Sequence, residues 1–454
     1  MTEFVPIETE YRRIVSAIPH PDSVSLIEQL KQIEPRSMSD FSPIVWDRAE
    51  GFQVWDSFGN KWIDFSSSVV LANAGHSHPH IGEAIAAQLQ THLWHNYLNP
   101  SEVRLRAVRA ILEITPPYLD KVFLLTTGAE ATEAAIKLSR IHGQGIAEGK
   151  FHILSYQGAF HGRTMGAQAI GGFPQQQQWM GAMPPGFHHI PFPDSSDYPE
   201  QRQDDIAYWR QYLNESLLPL REAGIADEMF AGVITETFQG PTVAFMPRGY
   251  AQALRQWATE HQVLLIFDEI QAGFGRTGKW FGFEHYGVAP DLICLGKSIT
   301  SSLPMSAVVG RAEILDLPGH GEMSSTHTGS PLCAAAATAN IEAIRDEGMV
   351  ENAAKLGVVA HEKLTAIRQR FPDYVGTING KGLVWSVHLI DPDSAEPDVE
   401  LADAVTVRCM QLGLIMLRTM RGTLKIAPPL CITEEALLEG LGVIEEAIAD
   451  CIPG

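Results

Sequence analysis

Short, largely apolar runs alternate with helical stretches through the middle of this chain, and that alternation constrains its fold more than any other feature. The runs are Val122 to Leu125, His152 to Ser155, Ala231 to Thr235, Val263 to Phe267, Leu292 to Leu295 and Ser306 to Val309. Between them, Ala129 to Ile141 is rich in alanine and glutamate, and Gly249 to His261 has helical spacing. The runs do not alternate apolar with polar residues, so both faces of each strand need cover. Helices on either side of a mainly parallel sheet supply it, which makes the fold class α/β. Ligands in such sheets bind beyond the carboxyl ends of the strands, where Thr127, Asp268 and Lys297 all fall.

At 454 residues the chain can hold a large α/β domain and a smaller appended one. Hydrophobic residues make up 45% and charged residues 19%, which provides for a sizeable core and argues against disorder. Residues 1 to about 45 read as helical, with breaks at Pro19, Pro21 and Pro35, and a hairpin turning at Gly59-Asn60 follows. From Pro331 a long alanine-rich helix leads into mixed helices and short strands. No apolar stretch reaches membrane-spanning length and the N-terminus lacks the order of a signal peptide, so a soluble cytoplasmic protein is expected. The net charge of −21 argues against a nucleic-acid partner and favours cationic small molecules by long-range steering. Cys294, Cys333, Cys409, Cys431 and Cys451 form no CxxC pair and read as reduced thiols.

Two of the apolar runs end in opposite charges: Val263 to Phe267 in Asp268 and Glu269, and Leu292 to Gly296 in Lys297. A pyridoxal phosphate enzyme requires such a pair. The amine bonds the cofactor's aldehyde, and the carboxylate keeps its pyridine nitrogen protonated. Taken singly, Asp268 reads equally as a helix cap and Lys297 as a surface lysine. Gly273-x-Gly275-x-x-Gly278 has the form of a dinucleotide fingerprint, but Asp268 and Glu269 would repel a pyrophosphate and the residues after it open no amphipathic helix.

Thr126-Thr127-Gly128-Ala129-Glu130-Ala131 is a strand-to-helix turn of small residues whose backbone N–H groups could approach a phosphate, though many α/β turns look alike. In Phe160-His161-Gly162-Arg163, the aromatic ring could stack on a flat ligand and Arg163 could take a carboxylate. A packed Phe and a structural Arg explain the run equally well. His76, His78 and His80 suggest metal by spacing, but Gly75 and Pro79 indicate a turn and the neighbouring sequence offers no acidic or cysteine partner. No metal site is assigned.

The ordered set TTGAEA (126–131), AFHGRT (159–164), FDEIQAGFGRTG (267–278), PDLICLGKSI (290–299) and THTGSPLCAAA (326–336) resembles the class III, or omega, aminotransferases over about residues 45 to 450. The 4-aminobutyrate and ornithine enzymes are the most similar in pattern. The resemblance implies fold type I, a pyridoxal 5′-phosphate cofactor and active sites completed across a homodimer. It implies a large cofactor domain at 61–330, with a small domain built from 1–60 and 331–454. By position, Lys297 is the Schiff-base lysine and Asp268 the partner of the pyridine nitrogen. Gln271 meets the phenolic oxygen, Gly128 and Ala129 give phosphate amides, and Thr326 reaches the neighbouring subunit's phosphate. Phe160 and Ile270 flank the ring, with His161 beside them. Tyr97, Arg163, Glu236 and Lys425 fall to the substrate.

The chain departs from the family pattern at its substrate gate. Proline stands at Pro241, where 4-aminobutyrate enzymes have a glutamate, and Lys425 replaces an arginine. A lysine is a point charge without a planar fork, so the swap is not conservative. Arg418 and Arg421 are the candidates to compensate. Thr300-Ser301-Ser302 replaces a glycine-rich run and predicts a differently shaped pocket floor. The expected activity is transfer of an amino group from a primary amine (an ω-amino acid, diamine or amino sugar) to a keto acid. The alternatives are 4-aminobutyrate–2-oxoglutarate transamination, and epimerisation or elimination on the same scaffold.

Overall fold

Seven strands form the central sheet of the computed structural model, which describes residues 6–38, 42–419 and 421–453. They are β1 (Lys121–Leu125), β2 (His152–Tyr156), β3 (Phe187–Ile190), β4 (Phe230–Glu236), β5 (Leu264–Asp268), β6 (Leu292–Leu295) and β7 (Ser306–Gly310). Their spatial order is β1-β7-β6-β5-β4-β2-β3. All neighbours are parallel except β7, which runs antiparallel to both β1 and β6. The exception has a simple cause: the link from Leu295 to Ser306 is shorter than the dozen or so residues a parallel crossover needs. β3 escapes a search for apolar runs because it carries His188 and His189, which an edge strand tolerates.

Asp268 on β5 stands opposite Glu236 on β4 and Cys294 on β6, so register alone gathers Asp268 and Glu236 at one sheet edge. Helix α1 (Gly128–Ile146) covers one face. Its start is closed by a capping box: Thr127 Oγ1 accepts the Glu130 amide, and Glu130 Oε2 accepts the Thr126 amide at 2.8 Å and the Thr127 amide at 3.0 Å.

Both chain ends contribute to further sheets. Gln53–Trp55 and Lys61–Asp64 form the expected hairpin, and Leu414–Ile415 pairs in parallel with the latter strand. This sheet runs across the expected division at residue 60. A four-stranded antiparallel sheet (Val375–Lys381, Val384–Leu389, Thr423–Ile426, Leu417–Thr419) completes the C-terminal part, with the helices Met349–Arg370, Val399–Gln411 and Glu434–Cys451. The N-terminal reading needs correction. It holds one helix, Pro21–Ile33, and the short strands Ile7–Glu8 and Arg13–Ile14, the second extending the hairpin sheet; residues 1–5 and 39–41 lie outside the described residues.

Arg276 ties these parts together. Its buried guanidinium donates to Leu383 O at 2.8 Å, Asn73 Oδ1 at 2.6 Å, Ser67 Oγ at 3.3 Å and Pro428 O. The Gly273–Gly278 run to which it belongs forms turns and opens no helix, in agreement with the sequence.

Helix α1 approaches the sheet closely at Gly143. A Cβ there would stand 2.6 Å from the Ala231 Cβ and overlap Lys150 O. Gly143→Ala therefore gains roughly 0.8–1.0 kcal/mol of helix propensity but meets an overpacking cost of about 1–3 kcal/mol. A net loss of stability is expected in denaturant titration, and a variant as stable as the parent would contradict this packing.

Candidate active site

β5 and β6 deliver their charges to one cavity. Asp268 is 5% exposed, and its Oδ1 accepts the Ile270 amide at 3.1 Å. His161 Nδ1 lies 2.8 Å from Asp268 Oδ2. An ionised carboxylate only accepts, so Nδ1 carries the proton and Nε2 faces the Ser155 hydroxyl at 3.3 Å. Lys297 follows β6 with φ +42°, a left-handed conformation that costs a β-carbon-bearing residue energy and is held here by its surroundings. Burial pushes its amine below the ordinary lysine range, against the opposing pull of Asp268 and Glu236.

The cavity has a volume of about 150 Å³, several times the ~30 Å³ share of one water. Gly128 and Ala129, whose amides have no partner among the described residues and lie at the N-terminus of α1, line it together with Asp268, His161, Phe160, Ile270, Gln271, Glu236 and Lys297. A Cβ on Gly128 would meet Ile270 Cδ1 at 2.9 Å, so glycine is what lets the helix start and Ile270 approach. Gly162, Phe238 and Ala272 also line the cavity. Sequence reasoning left them out, although Phe238 follows the end of β4 just as Ile270 follows that of β5.

The donor set fits a phosphorylated pyridine aldehyde: free helix amides for a dianion, a carboxylate for a ring nitrogen, and a primary amine in the same cavity.

Glu236 lies in this cavity, but its carboxyl accepts the amides of Phe160 and Gly240, each at 2.9 Å. Burial raises it to about 7, and Asp268 adds to the rise while His161 opposes it. The other residues assigned to the substrate lie outside this lining. Lys425 does not line the cavity: its buried amine donates at 2.7 Å to both Gly240 O and Gln271 Oε1. Burial, with Lys297 adding to it, pushes this amine down to about 7. Arg163 is exposed, with its guanidinium 5.5 Å from the Phe160 ring centroid and its Nη1 3.4 Å from Gln176 Oε1, and is likewise absent from the lining.

Arg418 is paired with Asp403. Arg421 has no ion pair among the described residues; it lies 5.8 Å from the Phe173 ring centroid and beside Gly158 and Gln239. The Thr300–Ser302 run stays out of the lining, and Ser301 Oγ accepts the Ala74 amide at 3.1 Å. Tyr97 and the loop holding Thr326 sit together away from the cavity, the Tyr97 hydroxyl 3.1 Å from Ser324 Oγ, and Thr326 is exposed.

The histidine series finds acids that local sequence did not reveal. His76 pairs with Asp64 at 2.7 Å, His78 with Glu347 at 2.9 Å and His80 with Glu342 at 2.8 Å. These are three separate contacts.

Residues 35–448 match the family described as aminotransferase class-III, and the chain belongs to that family. It is 31% identical over 98% of its length to the alanine/serine racemase of Pyrococcus horikoshii (94% of that protein). It is also 31% identical, over 97% of its length, to a 4-aminobutyrate aminotransferase of Mycobacterium leprae (98% of that protein). An amine transaminase from an uncultivated Pseudomonas species, solved in its PLP-bound form, superposes with a TM-score of 0.83 at 26% identity, covering 93% of this chain and 99% of that one. The fold is fold type I, and the chain is an enzyme of the aminotransferase class.

Glu236 makes a testable contribution to stability. Its ordinary value is 4.5 and its folded value about 7. The native state therefore holds a proton that the unfolded state releases, and the stability this confers is lost as pH rises between those values. Relative to Glu236→Gln, the wild-type apoprotein should lose stability from about pH 4.5 to about pH 7 and change no further above it. Denaturant titrations across that range showing a constant difference would contradict a protonated, buried Glu236.

Proposed function

We propose that this enzyme uses pyridoxal 5′-phosphate to move an amino group from a primary amine without an α-carboxylate to a keto acid. The observation that carries the reading is one cavity joining the free Gly128 and Ala129 amides, the Asp268–His161 pair and the Lys297 amine. When bound, the cofactor supplies an electron sink for the C–H bond next to the substrate nitrogen.

The protein's part follows from its geometry. The α1 amides would hold the phosphate, with Phe160 and Ile270 against the ring. Asp268, held by His161 Nδ1 and the Ile270 amide, would keep the ring nitrogen protonated. Lys297 Nζ would be the amine that holds the aldehyde. Burial lowers this amine, which suits it to take the proton from the substrate carbon and to give it back on the cofactor side.

With Pro241 in place of an acid and Lys425 engaged by Gly240 and Gln271, the gate that would seat a donor's second carboxylate is missing. Arg421 has no ion pair among the described residues and, although it too stands outside the cavity lining, is taken as the seat for the keto acid. A second copy of the chain completes the site. In support, Thr326 is exposed, and Trp94 (56% exposed) and Leu98 (65% exposed) stand bare beside Tyr97. The unpaired cysteines suit a reducing, cytoplasmic setting.

A racemase reading has one observation in its favour. Glu236, near 7 and in the cavity, offers a proton-exchanging group besides Lys297. Racemisation needs no acceptor, which separates the two readings.

Two experiments follow. Borohydride reduction of the cofactor-loaded protein and peptide mapping should place the pyridoxyl label on Lys297, and Lys297→Ala should abolish both the visible band and turnover. A label on any other lysine sinks the assignment. In a donor panel with and without pyruvate or 2-oxoglutarate, turnover should require the keto acid and favour amines lacking an α-carboxylate, cationic ones most at low salt. Loss of amino-acid chirality without a keto acid would establish the racemase instead. If 4-aminobutyrate with 2-oxoglutarate gave the highest kcat/KM, the gate argument would fall.

A further inference from the structure

Lys425 is a buried lysine with no carboxylate partner among the described residues, and both of its contacts are to carbonyl oxygens. One of these, Gln271 Oε1, settles a question that an amide normally leaves open. Oxygen and nitrogen at the end of a glutamine are interchangeable in shape, and only neighbours decide which points where. With Nζ protonated and at 2.7 Å, a flipped Gln271 would set its N–H2 against an ammonium, donor against donor. The amide nitrogen therefore lies on the other side.

That nitrogen has no hydrogen-bond partner among the described residues, and Gln271 lines the cavity with Lys297 and Asp268. Gly240 makes room for it: a Cβ there would stand 2.5 Å from Gln271 Nε2 and 3.0 Å from Glu236 Oε1. The second Lys425 contact, to Gly240 O, fixes this same glycine.

We propose that Lys425 is a positioning residue that locks the Gln271 amide with its two N–H donors toward the cavity. This corner of the site then favours an acceptor oxygen, most strongly one that carries negative charge. The inference rests on the aminotransferase reading, in which that oxygen is the phenolic oxygen of the bound cofactor. It also replaces a direct role for Lys425 on the keto acid, since an amine spent on two internal carbonyls has no donor aimed at the substrate.

Donors aimed at such an oxygen favour its ionised form, so removing them makes the last proton harder to lose. The visible absorption of the cofactor-loaded, substrate-free enzyme is titrated against pH for wild type, Lys425→Met, Gln271→Leu and the double variant. Each single variant should raise the midpoint by about one pH unit, a tenfold change in the protonation ratio. The double variant should raise it no further than either alone, because the lysine acts through the glutamine. The keto acid's KM in Lys425→Met should stay within about twofold of wild type while kcat falls.

Additive shifts in the double variant would mean that Lys425 acts by its charge alone, and would overturn the proposal. So would a large rise in keto-acid KM with an unmoved midpoint, which is the signature of a carboxylate receptor. Should Lys425→Met not fold, Gln271→Glu carries the test: it keeps an acceptor for Lys425 but removes both N–H donors. The proposal requires its midpoint to rise, and an unchanged midpoint overturns it. A wild-type protein that takes up no cofactor and shows no visible band would instead remove the aminotransferase reading itself.

Discussion

Burial of charge at the carboxyl edge of the central sheet is the constraint on which the rest of this structure depends. Asp268, Glu236, Glu269, Lys425 and Arg276 are all nearly or wholly buried. An ionised group in such a place is strongly destabilising unless the protein replaces its water. Here backbone and neutral side chains do most of that work. Glu236 takes two amides. Glu269 takes those of Gly282 and Phe283 and the Thr237 hydroxyl. Arg276 donates from both Nη atoms to carbonyl, amide and hydroxyl oxygens, and its buried Nε has no partner among the described residues. The incomplete compensation shows in the protonation equilibria: both glutamates are pushed up to about 7, and Arg276 down to about 9, by burial first.

These carbonyl and amide partners come from distant parts of the chain, which couples the site to the fold. Arg276 contacts segments near residues 67–73, 383 and 428, so the loop after β5 cannot move without the C-terminal sheet. Lys297 adds local strain in the same place through its left-handed backbone. Both features make the cavity a preorganised one, with its polar groups aimed before any ligand arrives.

The central strands were legible because a strand buried on both faces must be apolar along its length, and the termini of those runs named Asp268 and Lys297 directly. Parallel pairing then had only to bring adjacent strand ends together, which register does for Asp268 and Glu236. The edge strand β3 was not legible, because its histidines break the apolar pattern that only central strands obey. The N-terminal strands were missed for a related reason. Two-residue pairings leave no periodicity to detect, and proline spacing suggested helices there. At the site, local sequence named residues but not their partners. The contacts of Lys425 and of the histidine series are to residues far away in sequence, so nothing near them could show that Lys425 is internally satisfied or that each histidine has its own carboxylate.

The two departures from the family pattern at residues 241 and 425 are physically one change. A buried arginine stays charged at any physiological pH, and without a glutamate at 241 it would stand as an uncompensated cation beside Lys297. A lysine in the same place can shed its proton, and burial here pulls it down to about 7, where that loss is easy. Its single compact head also suits two carbonyls, one on Gly240 and one on Gln271. Without the acid a lysine is the less costly cation at 425, and on the inference above it serves as an internal brace where the family pattern has a carboxylate gate. On the function proposed above, a donor carboxylate would then find no partner on this side of the cavity among the described residues, and the substrate's chemistry would be set by what the brace leaves open.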